Sequence, residues 1–216
     1  MSTKNTTIIA ITLVGLATLA GLLLWNQLPD PMSSHWGLGG QVNGTSAKLV
    51  GVFLLPLVAA ALFLIFMAVP IIDPLKANIA KFRGTFNVFV VLLTAFLVYV
   101  HALTLVWNLG YNNFSMNTAL LPALGLLFIF IGFLIEKTKR NFFIGIRTPW
   151  TLSSDTVWEE THRIGGLLFK ISGALALVGI FFPGYAVWFL VVPALASALF
   201  TVVYSYVLFE REAKTS

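Results

Sequence analysis

Apolar runs long enough to cross a bilayer alternate with short polar segments along the whole chain. Six such runs, at residues 7–25, 49–72, 85–109, 118–135, 164–182 and 185–209, predict six transmembrane helices. A helix rising about 1.5 Å per residue needs ~20 apolar residues to cross a hydrocarbon core, and each run is near that length. The first run is expected to be retained. No small-x-small cleavage site follows it, and further spans do. Its Ala17 and Gly21 form a small-xxx-small pair suited to close packing on a neighbour. Pro56 predicts a kink in the second run.

Two larger polar segments interrupt the runs. Residues 27–48 carry Pro29, Pro31, Gly37, Gly39, Gly40 and Gly44, with Gly51 just beyond, so no regular element is expected through most of this loop. Residues 136–163 read as an interfacial elbow. Lys137, Lys139 and Arg140 stop the fourth run, and the stretch from Asn141 to Ile146 is too short to span and too apolar to be a free loop. Pro149 disfavours a helical Thr148 and bends the chain. Trp150 suits an anchor at headgroup depth, with Arg147 reaching a phosphate or a buried carbonyl. Ser153 or Ser154 then caps a new helix, with Asp155 favourable at its positive end. This helix carries Trp158, Glu159, Glu160, His162 and Arg163, places Glu159 and Arg163 at i,i+4, and has nothing to break it before the fifth run. Residues 73–84 read as a basic turn and 111–117 as a short uncharged one.

Composition narrows the class. The 216 residues are 58% hydrophobic and only 10% charged, whereas soluble domains carry about 25% charged residues. The chain is expected to be one all-α integral membrane domain, residues 1–216. It has no cysteine, which excludes disulfides, thiol nucleophiles, thiolate zinc sites and iron–sulfur clusters. The net charge of +5 matters less than where it sits, and direct nucleic-acid binding is not implied.

Placement of the cations predicts orientation. Lys4, Lys76, Lys81, Arg83, Lys137, Lys139, Arg140, Arg147, Arg163, Arg211 and Lys214 fall on one side of a six-span arrangement, and Lys48 alone on the other. The positive-inside rule then puts both termini, the 73–84 turn and the elbow in the cytoplasm, and the 27–48 loop outside.

The candidate chemistry is sparse. In the outer loop, His35, Trp36 and Lys48 form either a compact recognition surface or a rigid connector with Trp36 anchored and Lys48 snorkelling. One His and one Asp fall short of a metal site, and no cofactor is expected. His101 and Lys170 lie within the runs, where ionisable groups are functional candidates. Each also has a structural reading. His101 can bond a neighbouring helix, and Lys170 can reach back toward the interface. Glu159-x-x-His162 has metal-ligand spacing on a helix but occurs once, and the run from Glu159 and Glu160 through His162 to Arg163 comes one residue short of an intramembrane metalloprotease motif whose partner histidines are missing, so enzymatic activity is not expected. A loose three-plus-three layout leaves a small transporter or flippase as the alternative, against which the lack of carboxylates within the runs counts.

The run from Asn141 through Gly145, Arg147, Thr148, Pro149 and Trp150 to Leu152, followed by Val157-Trp158 and Thr161-His162-Arg163, resembles the hallmark of the SdpI-like proteins, the immunity proteins for a sporulation-delaying toxin. Leu28-Pro29, His35-Trp36, Gly40 and Ser46-Ala47-Lys48 resemble the small domain of unknown function common at the amino end of that family. The resemblance implies a multi-pass protein of the bacterial cell membrane that protects against a secreted peptide toxin. It also implies a receptor role, in which a cytoplasmic autorepressor of the helix-turn-helix kind is held at the membrane. The toxin would meet His35, Trp36 and Lys48, and the repressor the side of the elbow carrying Asn141, Gly145, Arg147, Thr148, Pro149, Trp150, Trp158, His162 and Arg163.

Overall fold

A computed structural model describes residues 1–215. Eight helices and one hairpin follow in the order α1 Thr3–Leu24, β1 Met32–Trp36, β2 Val42–Ser46, α2 Lys48–Ile72, α3 Lys76–Ala80, α4 Arg83–Asn108, α5 Met116–Lys137, α6 Pro149–Ser153, α7 Asp155–Gly179 and α8 Trp188–Thr215. Small hydroxyls start several of them. Ser2 accepts from Asn5 N at 3.2 Å to open α1, Ser115 from Thr118 N at 3.3 Å to open α5, and Ser154 from Val157 N at 3.2 Å to open α7.

Five helices, α1, α2, α4, α5 and α8, are long and apolar enough to cross a membrane, and the chain is a multi-pass membrane protein. Leu23, Leu57, Leu64 and Leu199 point outward on these helices, as lipid contact requires and water would not favour. The sixth long helix, α7, is the exception. Its first turns carry Asp155, Glu159, Glu160 and Arg163, and Lys170 follows. It is packed between α5 and α8 instead of being left to face lipid on its own.

The bundle has two parts. Helices α1, α2 and α4 pack together, α5 and α8 flank α7, and α4 against α5 joins the two. The α5–α7 seam is built from glycine. A side chain at Gly173 would collide with Gly125 O and Ile129 N, and one at Gly166 or Gly132 would meet the backbone of the facing helix. With no side chain in the way, the two backbones approach closely, which is how helices associate where lipid offers no hydrophobic drive. Gly21 does the same for α1, against Val52 of α2. The α7–α8 seam uses hydroxyls, with Ser172 Oγ 3.2 Å from Ser197 Oγ.

One expectation needs correction. The 27–48 segment is not irregular throughout. β1 and β2 pair antiparallel, with Met32 opposite Ser46 and Trp36 opposite Val42. The glycines tighten the turn between the strands: Gly37 N donates to Gln41 O at 2.9 Å and Gly40 N to Gly37 O at 2.9 Å. Gly44 sits opposite His35 where the register shifts, leaving room for the ring. The prolines lie ahead of β1, where they cost no ladder bond. Among the described residues, the regular elements are therefore helical apart from this hairpin.

Lys170 turns toward the elbow end of the bundle. Its Nζ pairs with Glu136 Oε1 at 2.6 Å and lies 4.7 Å from the Phe133 ring centroid. Both partners are less than one-third exposed. An unpaired charge here is costly, so Lys170→Met and Glu136→Gln should each destabilise the protein, and the double variant by less than the sum of the two, with a coupling on the order of 1–2 kcal/mol. Thermal unfolding of the four proteins in detergent measures it; strict additivity would show the pair contributes nothing.

Candidate functional site

The elbow is ordered by one asparagine. Asn141 is fully buried and uses its whole amide: Oδ1 accepts from Phe143 N at 2.9 Å and Ile144 N at 2.6 Å, and Nδ2 donates to Lys139 O and Ile144 O. The resulting turn throws Phe142 and Phe143 to the surface, while Ile144 packs inward. The basic turn grips it from outside. Asp73 Oδ2 accepts from Phe142 N at 2.9 Å, and Asn78 Nδ2, on α3, donates to Arg140 O at 2.9 Å. Neither residue stood out in the sequence, although Asp73-Pro74 at the end of an apolar run is a stop signal with an acceptor attached.

Beyond the turn, Gly145 has φ +118°. It passes directly over the His162 imidazole, and a Cβ there would strike the ring. Ile146 N donates to His162 Nε2 at 2.9 Å, and His162 Nδ1 lies 2.7 Å from Trp158 O. A carbonyl can only accept, so Nδ1 carries the hydrogen and Nε2 the lone pair. The ring stacks on Trp158 at 3.9 Å, and Trp158 Nε1 donates to Thr138 O at 3.1 Å. His162 is thus a neutral clamp that fastens the elbow to α7.

Burial lowers the His162 imidazole to about 4, against a smaller upward pull from its bond to Trp158 O. The unfolded ring titrates near 6.5. Unfolding therefore takes up a proton between those values, and the contribution is complete above about pH 6.5 and lost as pH falls toward 4. The total is on the order of 3 kcal/mol. Wild type should lose midpoint stability between pH 7 and pH 4.5 relative to His162→Gln, as unfolding in detergent at both pH values would read. Parallel pH curves would contradict the neutral clamp.

The next residues complete the bend. Thr148 is extended (φ −109°, ψ 162°), as its proline neighbour requires, and α6 starts at Pro149. Thr148 and Thr151 cap each other, Thr151 Oγ1 also donates to Ile146 O at 2.8 Å, and Thr148 Oγ lies 3.1 Å from Ser205 Oγ of α8. Trp150 rests on Tyr206 with ring centroids 5.1 Å apart. Arg147 Nη1 donates to Phe142 O at 2.7 Å, an exposed carbonyl of the same turn. The anticipated Glu159–Arg163 pair is absent: Arg163 pairs with Glu160 at 2.6 Å, and Glu159 with Lys139 of the elbow at 2.6 Å. Arg140 adds a pair with Asp155 at 2.7 Å. The two glutamates are drawn to cations at the surface while His162 is buried with both nitrogens engaged, so the three do not converge on a point. Among the described residues no group of three or more His, Asp or Glu could hold a metal.

At the other end of the bundle the hairpin sits on the junction of its two parts. Asn108, ending α4, donates to Ser33 O at 3.0 Å and accepts from Ser33 N at 2.8 Å. Asn117, opening α5, donates to Gly37 O and Leu38 O. Trp36 meets the edge of Trp107 at 5.5 Å, and His35 is exposed with Nδ1 on Asn43 Oδ1. Lys48 is tied down: its Nζ donates to Trp25 O at 3.2 Å over the Trp25 ring. The structure therefore gathers Trp36 and His35 into one surface and ties Lys48 to the end of α1. His101 Nε2 lies 3.2 Å from Ala17 O of α1, the inter-helix bond expected of it.

Residues 137–205 match the SdpI/YfhL protein family, and residues 12–60 match a domain of unknown function, DUF1648. The immunity protein SdpI of Bacillus subtilis (strain 168) is 29% identical over 203 residues, covering 92% of this chain and 93% of that protein. No solved structure matches. The elbow and its clamp on α7 lie within the first matched region and the hairpin within the second, so the carboxyl-terminal part of the chain carries an SdpI/YfhL-type region and the amino-terminal part a DUF1648 region.

Proposed function

We propose that this protein is a membrane immunity protein that guards its cell against a secreted antimicrobial peptide. The observation that carries the reading is the similarity along 92% of the chain to a protein named for immunity. Six helices cross the membrane, α7 among them, with both termini in the cytoplasm. Supporting this, the amino terminus, the 73–84 turn, the elbow and the end of α8 lie together, since Met1 N donates to Gly84 O, Asn78 to Arg140 O, and Thr148 meets Ser205. That end holds nearly all the loop cations.

The hairpin end, with His35, Trp36 and Lys48, is the outward face. The elbow, with Asn141, Gly145, Arg147, Thr148, Pro149, Trp150, Trp158, His162 and Arg163, is the inward one, and exposed Phe142 and Phe143 beside Arg147 form its docking surface for a cytoplasmic repressor of the helix-turn-helix kind. Helix α5 links the ends: Asn117 holds the hairpin at its start, and Glu136 and Thr138 hold α7 at its finish. Expression in a sensitive bacterium should raise the killing concentration of a cognate member of a panel of secreted antimicrobial peptides by tenfold or more. Unchanged killing across the panel would reject the reading.

A further inference from the structure

Beneath the hairpin lies a cavity of about 390 Å³. Val50 and Leu54 of α2, Val100 of α4 and Leu120 of α5 give it apolar sides, and Trp36 and Ser46 bring the two strands to it. Trp36 Nε1 and Ser46 Oγ are buried with no hydrogen-bond partner among the described residues. An indole N–H can only donate, and leaving it unmet in a buried place is costly. An occupant that relieves this cost must carry an acceptor as well as apolar bulk.

The strands add a direction. The outer edge of β1 is closed, because Asn108 occupies both Ser33 N and Ser33 O. The outer edge of β2 is open: among the described residues no hydrogen bond reaches its main chain from the side away from β1. Thr45 stands opposite Ser33, and in an antiparallel ladder facing residues turn their N–H and C=O the same way relative to the pair, both inward or both outward. Thr45 therefore offers its main chain outward, as Ser33 does toward Asn108. β2 is largely exposed. An open edge recruits an extended chain through its main-chain groups, and pockets beside it select alternate side chains.

We propose that the cavity and the free edge of β2 form one binding site for an extended apolar peptide segment, which adds as a third strand and turns a side chain into the cavity. This deepens the outward role proposed for the hairpin and rests on that reading. A hydroxyl on the side chain turned into the cavity supplies the acceptor that Trp36 Nε1 lacks. Because Asn108 and Asn117 fasten the hairpin to α4 and α5, a bound strand bears on the junction of the two parts of the bundle.

The probe is an acetylated, amidated pentapeptide alternating threonine with valine and phenylalanine. It is titrated into ¹⁵N-tryptophan-labelled protein in phospholipid nanodiscs. The Trp36 indole signal is assigned by its loss in Trp36→Phe. The expected result is a downfield, saturable shift of that signal, weakened at least tenfold in Thr45→Pro, which blocks the edge, and in Val50→Phe, which fills the cavity from a half-exposed position. A lysophospholipid in place of the peptide should leave the signal where it is. A Trp36 signal that does not move, that moves equally in both variants, or that follows the lysophospholipid as well would overturn the proposal. The two readings fail separately. Protection in cells without a Trp36 response removes the site alone, and a Trp36 response without protection against any peptide removes the immunity role alone.

Discussion

Gly173→Leu is expected to abolish the folded carboxyl-terminal part of the bundle. Even the first carbon of the new side chain would collide with Gly125 O and Ile129 N across the α5–α7 seam. Those are backbone atoms of a neighbouring helix, so no rotamer relieves the overlap, and α5 and α7 must move apart along their length. Separation would also strain the Glu136–Lys170 pair and the bond from Trp158 to Thr138. Overpacking typically costs about 1–3 kcal/mol and more where backbone must shift, and this site lies at the upper end. The gain of about 1 kcal/mol from replacing a helical glycine does not offset it. Loss of the monodisperse peak in detergent, or a fall in Tm beyond that of any surface variant, is the readout. Gly15→Leu is the control. Gly15 is exposed on α1 with nothing within 4 Å of a Cβ, and its substitution should leave Tm unchanged.

Gly145→Ala should be nearly as damaging through a single methyl. At φ +118° an alanine is strained by about 1–3 kcal/mol. Its Cβ also displaces the His162 ring, breaking the bond from Ile146 N and leaving a part-buried donor unmet at a further ~1–3 kcal/mol. The combined loss is about 2–6 kcal/mol. It should carry a second signature: with His162 released, the pH dependence assigned to its imidazole disappears. Gly39→Ala, where φ is not positive and no atom lies within 4 Å, should behave as wild type. A Gly145→Ala protein as stable as wild type, with the pH slope intact, would contradict the clamp.

The long helices were legible because lipid enforces long apolar runs, and the predicted ends mostly fall within a few residues of those observed. The caps at Ser154 and the extended Thr148 before Pro149 were equally plain, since each depends on its immediate neighbours. The glycine seam was present as matched spacing, Gly125 to Gly132 and Gly166 to Gly173, but pairing two such sets needs knowledge of which helices touch. The hairpin is hidden in the sequence because its glycines and prolines read as breakers. What holds it is distant: Asn108 and Asn117 lie 75 and 80 residues from the main-chain groups they bind. The ion pairs were missed for a related reason. Local spacing favoured Glu159 with Arg163, and only the folded elbow brings Lys139 to Glu159.

The division of roles between the two ends depends on which side of the membrane each one faces. The chain has no cysteine, so a single introduced thiol reports its own position. Leu38→Cys places one at the exposed hairpin turn and Thr156→Cys one on the exposed first turn of α7. A membrane-impermeant maleimide applied to intact cells should label Leu38→Cys fully and Thr156→Cys only after the membrane is opened. Labelling of Thr156→Cys in intact cells, with Leu38→Cys protected, would reverse the orientation and contradict an outward-facing hairpin.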